Sequence, residues 1–262
     1  MSVISDFTQP ESAPEFFIQF LDSMDRHAEI RAARGDTIQR MALVPGDKVL
    51  DVGCGLGGVT FPLAKMTGPS GLVAGIDIRP AFVETADRRA AGRPGIEFRV
   101  GDAGSIPYPD DFFDAAHSER VFLYLTDRLA AIEEMKRVVK PGGRLWLLDA
   151  DADSMAIYSN DYALTRKMLA VFAATLPNPY SARELPILLK QAGLREATTD
   201  VFAISAPHEV LTRAFTATLM KAAESGELSR ADVDDWLGEQ AALHASGDFF
   251  CTWLMTRCSG TV

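Results

Sequence analysis

Cysteine is scarce in this chain: three in 262 residues, at Cys54, Cys251 and Cys258. So sparse and odd a set builds no disulfide framework, suits a reducing compartment, and reads as small buried apolar residues. Four histidines stand singly, and no His/Cys cluster has zinc spacing. Positive charge is also in deficit. Against 36 acids stand 26 lysines and arginines, a formal net charge of −10, which opposes attraction to nucleic-acid phosphates and anionic membrane surfaces. No apolar run approaches a membrane span, and the first thirty residues, with Asp6, Glu11, Glu15, Asp22 and Asp25, hold no signal-peptide core. The expectation is a cytoplasmic protein with a small-molecule substrate and with no nucleic-acid, membrane or metal partner. Monomer and homodimer both stay open. A chain that is 47% hydrophobic and 24% charged, with no internal repeat, suits one sizeable domain over 1–262 rather than disorder.

What is present centres on Val49-Leu50-Asp51-Val52-Gly53-Cys54-Gly55-Leu56-Gly57-Gly58, followed by Gly75-Ile76-Asp77. An apolar run entering clustered glycines reads as a buried strand, a tight turn and a helix start, with backbone N–H groups facing a ligand. Asp77, at the end of the next strand, can accept hydrogen bonds from both hydroxyls of a ribose. Gly53, Gly55 and Gly58 satisfy the dinucleotide fingerprint, so a nicotinamide cofactor competes for this crevice with S-adenosylmethionine. Two features favour the latter. Asp51 sits two residues before the first glycine, where pyrophosphate is repelled and a sulfonium cation is not. Asp102, in Gly101-Asp102-Ala103 after the strand Ile96 to Val100, ends a third strand, where it can accept the adenine amino group while Ala103 offers a backbone N–H.

Taken in order, VLDVGCGLGG, GIDIRP, GDAGSIPYPDDFFD, SERVFLYLTD and MKRVVKPGGRLWLLDAD resemble the motifs of the class I S-adenosylmethionine-dependent methyltransferases, in the ubiquinone/menaquinone-methylase-like branch. The resemblance spans roughly residues 43 to 153. It implies a Rossmann-like fold with S-adenosylmethionine as cofactor. Gly53, Gly55 and Gly57 would line the methionine end, beside the cofactor-binding candidate Asp51 read from its charge; Asp77 and Ile78 would line the ribose, Asp102 and Ala103 the adenine, and Ser118 and Glu119 the methyl-transfer end. The family often has His where this chain has Tyr124, which leaves the role of that position open.

The organisation agrees with an α/β, doubly wound, mostly parallel seven-stranded sheet. Strands are expected near 48–52, 72–76, 96–100, 114–118 and 144–149, with a final antiparallel pair at 195–205 and 249–258. Residues 14–42 form a helical N-terminal cap whose Phe16, Phe17 and Phe20 either fold over the cofactor mouth or pack as core. Residues 150–194 read as a helical lid insertion. Arg31 and Arg34 are either partners of a methionine carboxylate or, the favoured reading, solvated helix charges.

The candidate proton acceptors are His117, Asp149 and Asp151, with strand alternation equally able to aim His117 into the sheet. Arg120, Tyr124, Tyr158 and Tyr180 are candidates for the substrate side, against plain packing. Asp149, Asp151 and Asp153 share a strand face, yet a polar strand exit explains them better than a metal site. The expected function is methyl transfer to O, N or C of a small aromatic or heterocyclic metabolite, of the kind met in secondary metabolism. Two rivals are kept: an NAD-dependent oxidoreductase, and a non-catalytic partner subunit of methyltransferase fold.

Overall fold

Four consecutive buried residues, Val49 to Val52, make up most of β1 (Lys48–Val52), the strand about which the sheet is ordered. The computed structural model describes residues 14–262. Before β1 lie α1 (Pro14–Arg26) and α2 (Ala28–Arg40); after it come α3 (Thr60–Thr67), β2 (Leu72–Asp77), α4 (Pro80–Ala90), β3 (Ile96–Val100) and β4 (Phe113–Glu119). A single 3-10 turn, Phe122–Tyr124, leads to α5 (Arg128–Val138), β5 (Val139–Ile157), α6 (Tyr162–Ala173) and α7 (Ser181–Gln191). The chain closes with β6 (Arg195–Ser205), α8 (His208–Glu224), α9 (Arg230–Ser246) and β7 (Cys251–Thr261). None of these helices is long and apolar enough to cross a membrane.

The sheet order is β3-β2-β1-β4-β5-β7-β6, with β7 antiparallel to both β5 and β6 and the other neighbours parallel. Strand order reverses between β1 and β4, and the splayed carboxyl ends there open a crevice. The central parallel strands read as nearly unbroken buried runs because helices cover both faces. On one face Val49, Val73, Ala115 and Trp146 pack against Ile38 of α2, Met41 just past its end and Leu63 of α3. On the other, Leu50, Ala116, Leu145 and Leu147 meet Ile132 and Met135 of α5 and Leu185, Leu188 and Leu189 of α7. Around α6, α8 and α9 a further cluster forms, with Phe172 and Phe215 stacked at 4.0 Å and 11°.

Asp127 caps α5 by accepting from Ala130 N–H at 2.9 Å, and the helix ends three residues before the expected breaker Pro141-Gly142-Gly143. The fifth strand departs from expectation. It runs from 139 to 157 rather than 144–149: β4 pairs with it at Val139, and β7 supplies an antiparallel partner from Arg144 through Asp151 and again at Ala156 and Ile157. The stretch 150–194 therefore begins as strand. Within it α6 turns to the crevice, whereas α7 packs across the opposite face of the sheet as an ordinary core helix.

Candidate functional site

Three strand ends converge on the crevice. Past β1 the N–H groups of Gly53 and Cys54 both donate to the Ile76 carbonyl, at 2.8 and 2.9 Å, which folds the glycine hairpin over the end of β2. Gly53 has φ 72°, and a β-carbon there would collide with the Val121 side chain, so the hairpin needs glycine twice over. Asp77 Oδ2 accepts from Gly55 N–H at 3.0 Å and Oδ1 from Arg79 N–H at 2.9 Å. One edge of the carboxylate is thus fixed by backbone, with lone pairs left for hydroxyls from the cavity. Burial lifts its pKa to about 6, although the two N–H groups oppose the rise. At the end of β3, Asp102 is exposed and accepts from Gly104 N–H at 2.7 Å. Asp77, Ile78, Asp102 and Ala103 share one cavity of about 580 Å³ with Gly53, Cys54, Gly55, Leu56 and Gly58.

Beneath the hairpin Asp51 is buried and fully engaged. Thr60 Oγ1 donates to its Oδ2 at 2.6 Å, and His117 Nδ1 lies 3.3 Å from its Oδ1. This corrects the reading of His117 as a proton acceptor for substrate: the imidazole is wholly buried against Asp51 and does not reach the cavity wall. Ser118 is likewise withdrawn, its hydroxyl donating to the Val52 carbonyl at 3.1 Å. Gly57 abuts the Phe61 ring rather than the cavity, and Gly58 takes its place in the wall.

Glu119 does reach the wall, but as half of an ion pair. Arg34 Nε donates to its Oε2 at 3.0 Å and Nη2 to its Oε1 at 2.9 Å, while Nη2 also meets Asp25 at 2.8 Å and Nη1 the Gly58 carbonyl at 3.1 Å. Burial alone would raise the Glu119 pKa; Arg34 and Arg120 outweigh it and hold the group at about 2. The favoured reading of Arg34 as a solvated charge is overturned, whereas Arg31 is exposed as expected. The pairing of Arg34 is not legible in the sequence because its main partner is 85 residues away, beyond any local spacing.

The far half of the cavity is apolar. α6 and the residues just past it contribute Phe172 and Leu176; α8 gives Val210, Leu211 and Phe215; β5 gives Ala150, Ala152 and Met155; β7 gives Cys251 and Trp253. From α1, Phe16, Phe17, Phe20, Leu21 and Met24 line the cavity, with Phe17 also packed in the core against Leu56 and Phe82. The Phe17 ring takes the Arg79 guanidinium at 4.6 Å, and Phe82 takes it from α4 at 4.7 Å. Arg120, Leu123 and Tyr124 also line the cavity. The Tyr124 phenol is buried, which pushes its pKa up and keeps it protonated.

Asp149 and Asp151 are corrected by the same alternation that places Ala150 and Ala152 in the wall. Asp149 points to the opposite face, where Ser181 Oγ donates to it at 2.9 Å. Asp151 pairs with Arg183, which also holds Asp153 at 2.9 Å, so the three carboxylates converge on no ion. Among the described residues no group of three or more His, Cys, Asp or Glu could hold a metal. Tyr158 and Tyr180 are about half exposed and lie outside the cavity wall.

Comparison with known proteins gives a consistent result. Residues 50–147 match the family model for a methyltransferase domain. The chain is 32% identical over 246 residues to an uncharacterized 37.1 kDa protein in a transposon of Streptomyces fradiae, covering 92% of this chain and 70% of that one. It is 30% identical over 216 residues to the demethylmenaquinone methyltransferase of Lysinibacillus sphaericus, covering 74% of this chain and 92% of the relative. A crystal structure of a SAM-dependent methyltransferase from Aquifex aeolicus superposes with a TM-score of 0.53 at 27% identity, over 70% of this chain and 88% of that one.

Proposed function

We infer the acceptor from the family: the chain belongs to the class I S-adenosylmethionine-dependent methyltransferases, in the menaquinone-methylase-like branch, and is an enzyme whose cofactor is S-adenosylmethionine. The rival readings, an oxidoreductase and a non-catalytic subunit, give way to it. The finer reading is methyl transfer to O, N or C of a small aromatic or heterocyclic metabolite. One observation carries it: among the described residues, those that α6, α8, β5 and β7 give to the cavity wall include no charged side chain. Flat rings bury well against Phe172, Phe215 and Trp253. A carboxylate or phosphate would lose its hydration there, and Arg120, in the cavity wall, already faces Glu119 at 3.3 Å. The relative named for demethylmenaquinone makes a quinone-type ring the first acceptor to try.

The residues present fit the cofactor. Asp77 would accept from both ribose hydroxyls with the lone pairs its backbone partners leave free. Asp102 and Ala103 would hold the adenine, Ile78 would offer an apolar surface, and the hairpin of Gly53 and Gly55 would border the methionine end. Asp51 and Glu119 supply negative field nearby, their carboxylates immobilised by Thr60 and Arg34. When bound, the cofactor supplies a methyl group on a cationic sulfur, an excellent leaving group. The chain then has to align the nucleophile in line and exclude water, which the α1 cap and the apolar walls favour. With Tyr124 protonated and His117, Asp149 and Asp151 all turned elsewhere, none of these four candidates stands ready as a base. The reaction therefore suits an acceptor that ionises on its own or an activated ring carbon.

The test is transfer of labelled methyl from S-adenosylmethionine to hydroquinones, phenols and heterocyclic amines, against charged aliphatic amines and phosphate esters. Label on the uncharged rings supports the reading. Label confined to the charged aliphatics sinks it.

A further inference from the structure

One short turn touches both the glycine hairpin and the apolar chamber and lines the cavity they share. It opens at Arg120, whose φ of 57° is unfavourable for a residue with a β-carbon. It then closes as Tyr124 N–H donates to the Val121 carbonyl at 2.9 Å. Val121 presses on Gly53 of the hairpin, Phe122 is anchored in the core, and Leu123 and Tyr124 face the chamber. A displacement of this turn is therefore felt on the acceptor side.

Three carbonyls in and just after the turn, those of Phe122, Leu123 and Leu125, end on a single residue far along the chain. Asn178 N–H donates to the Leu123 carbonyl at 3.1 Å, while its Nδ2 donates to Leu125 at 2.6 Å and to Phe122 at 3.3 Å. The loop bearing Asn178 is itself fastened to β5. Pro179 accepts from Ala152 N–H at 2.8 Å, and Ser181 Oγ donates to buried Asp149, which in turn accepts from the backbone of Leu123. The turn is thus gripped from above by Asn178 and from below by Asp149.

We propose that Asn178 is a positioning residue for the methyl acceptor: its carboxamide fixes the Phe122–Tyr124 turn, and with it the wall that Leu123 and Tyr124 present to the chamber. The proposal rests on reading that chamber as the acceptor site. Asn178 touches no reacting atom. It acts through three backbone carbonyls, and an error of about 1 Å in such a wall is enough to slow an in-line transfer about 100-fold. Donors are essential to the arrangement, because the three partners are all acceptors. An aspartate of the same shape would set its oxygens against Phe122 and Leu125 and repel them.

Asn178→Asp and Asn178→Ala, each first shown to melt cooperatively, are to be titrated with S-adenosylhomocysteine by calorimetry and with N-phenyl-1-naphthylamine, an uncharged aromatic fluorophore, by emission. The expected result is S-adenosylhomocysteine affinity within about twofold of wild type and fluorophore affinity about tenfold weaker, the loss of one or two ordinary hydrogen bonds. Asn178→Gln, which restores a carboxamide, should recover part of the fluorophore affinity. Wild-type fluorophore affinity in Asn178→Asp would overturn the proposal, even where the enzyme methylates uncharged rings. Equal loss of both ligands would overturn it too, by showing general disruption. Failure of the wild-type chain to bind the fluorophore would remove the chamber reading on which the proposal stands.

Discussion

Arg34 grips Glu119 by two parallel hydrogen bonds inside the cavity wall, with both side chains more than nine-tenths buried. The pair ties α2 to the end of β4 and holds Asp25, hence α1, over the site. A buried pair of this kind is costly to break from one side only, because the survivor keeps its desolvation penalty.

Arg34→Ala should therefore destabilise the chain by about 3–5 kcal/mol in urea unfolding at pH 7. Arg34→Lys should recover little, since a point charge does not reproduce the fork. The sign with pH follows from Glu119, whose folded pKa of about 2 lies below its ordinary value. Its contribution is complete above roughly pH 4.5 and lost as pH falls towards 2. Acid unfolding curves of wild type and Arg34→Ala should converge across that window; parallel curves would show that the pair contributes nothing.

Gly53→Ala places a β-carbon against Val121 in a backbone at φ 72°. The strain alone is worth about 1–3 kcal/mol, and the collision adds to it. Melting temperature should fall and S-adenosylhomocysteine binding should weaken at least tenfold by calorimetry. Adding Val121→Ala should return part of the stability and little of the affinity, because the conformational strain remains.

Asp77 titrates near pH 6 and its ionised form is the better acceptor for two hydroxyls. S-adenosylhomocysteine should bind more weakly as pH falls through 6, with a single-proton dependence. Asp77→Asn should bind weakly at every pH and lose that dependence. A wild-type titration that stays flat from pH 5 to 8 would show that the carboxylate does not meet the ribose.

The hairpin, Asp77 and Asp102 were legible in the sequence because each is set within one strand–turn unit, where spacing dictates position. Arg34 was not, since its role depends on Glu119 arriving from another strand. The run Asp149-Ala150-Asp151-Ala152-Asp153 shows the limit most clearly. Its alternation was visible, but which face meets the cavity is decided by where α6 and α7 pack, and the small alanines, not the acids, line the wall. His117 failed for the same reason, as the register that sets it beside Asp51 turns it into the sheet. The length of β5 was hidden because its extension depends on β7, a strand a hundred residues later. Phe172, Phe215 and Trp253 were visible only as packing residues, with no local signal that their helices and strand converge on one chamber.

Asp149 gives the last prediction. Burial raises its pKa to about 7, against the pull of the N–H groups and of Ser181. A carboxyl whose folded pKa lies above its unfolded value binds its proton more tightly in the native state. That contribution is present in full below the unfolded value near 4 and disappears as pH rises through 7, so the group weakens the fold at neutral and alkaline pH. Asp77, with a pKa of about 6, acts in the same direction, and the two are separated by mutation. Asp149→Asn imitates the protonated state, keeping an acceptor for Leu123 and Ser181. It should melt at a temperature close to wild type at pH 5 and higher by several degrees at pH 8, a few kcal/mol by the size of the shift. A variant that is less stable than wild type at pH 8 would show instead that the ionised carboxylate is the form the turn depends on.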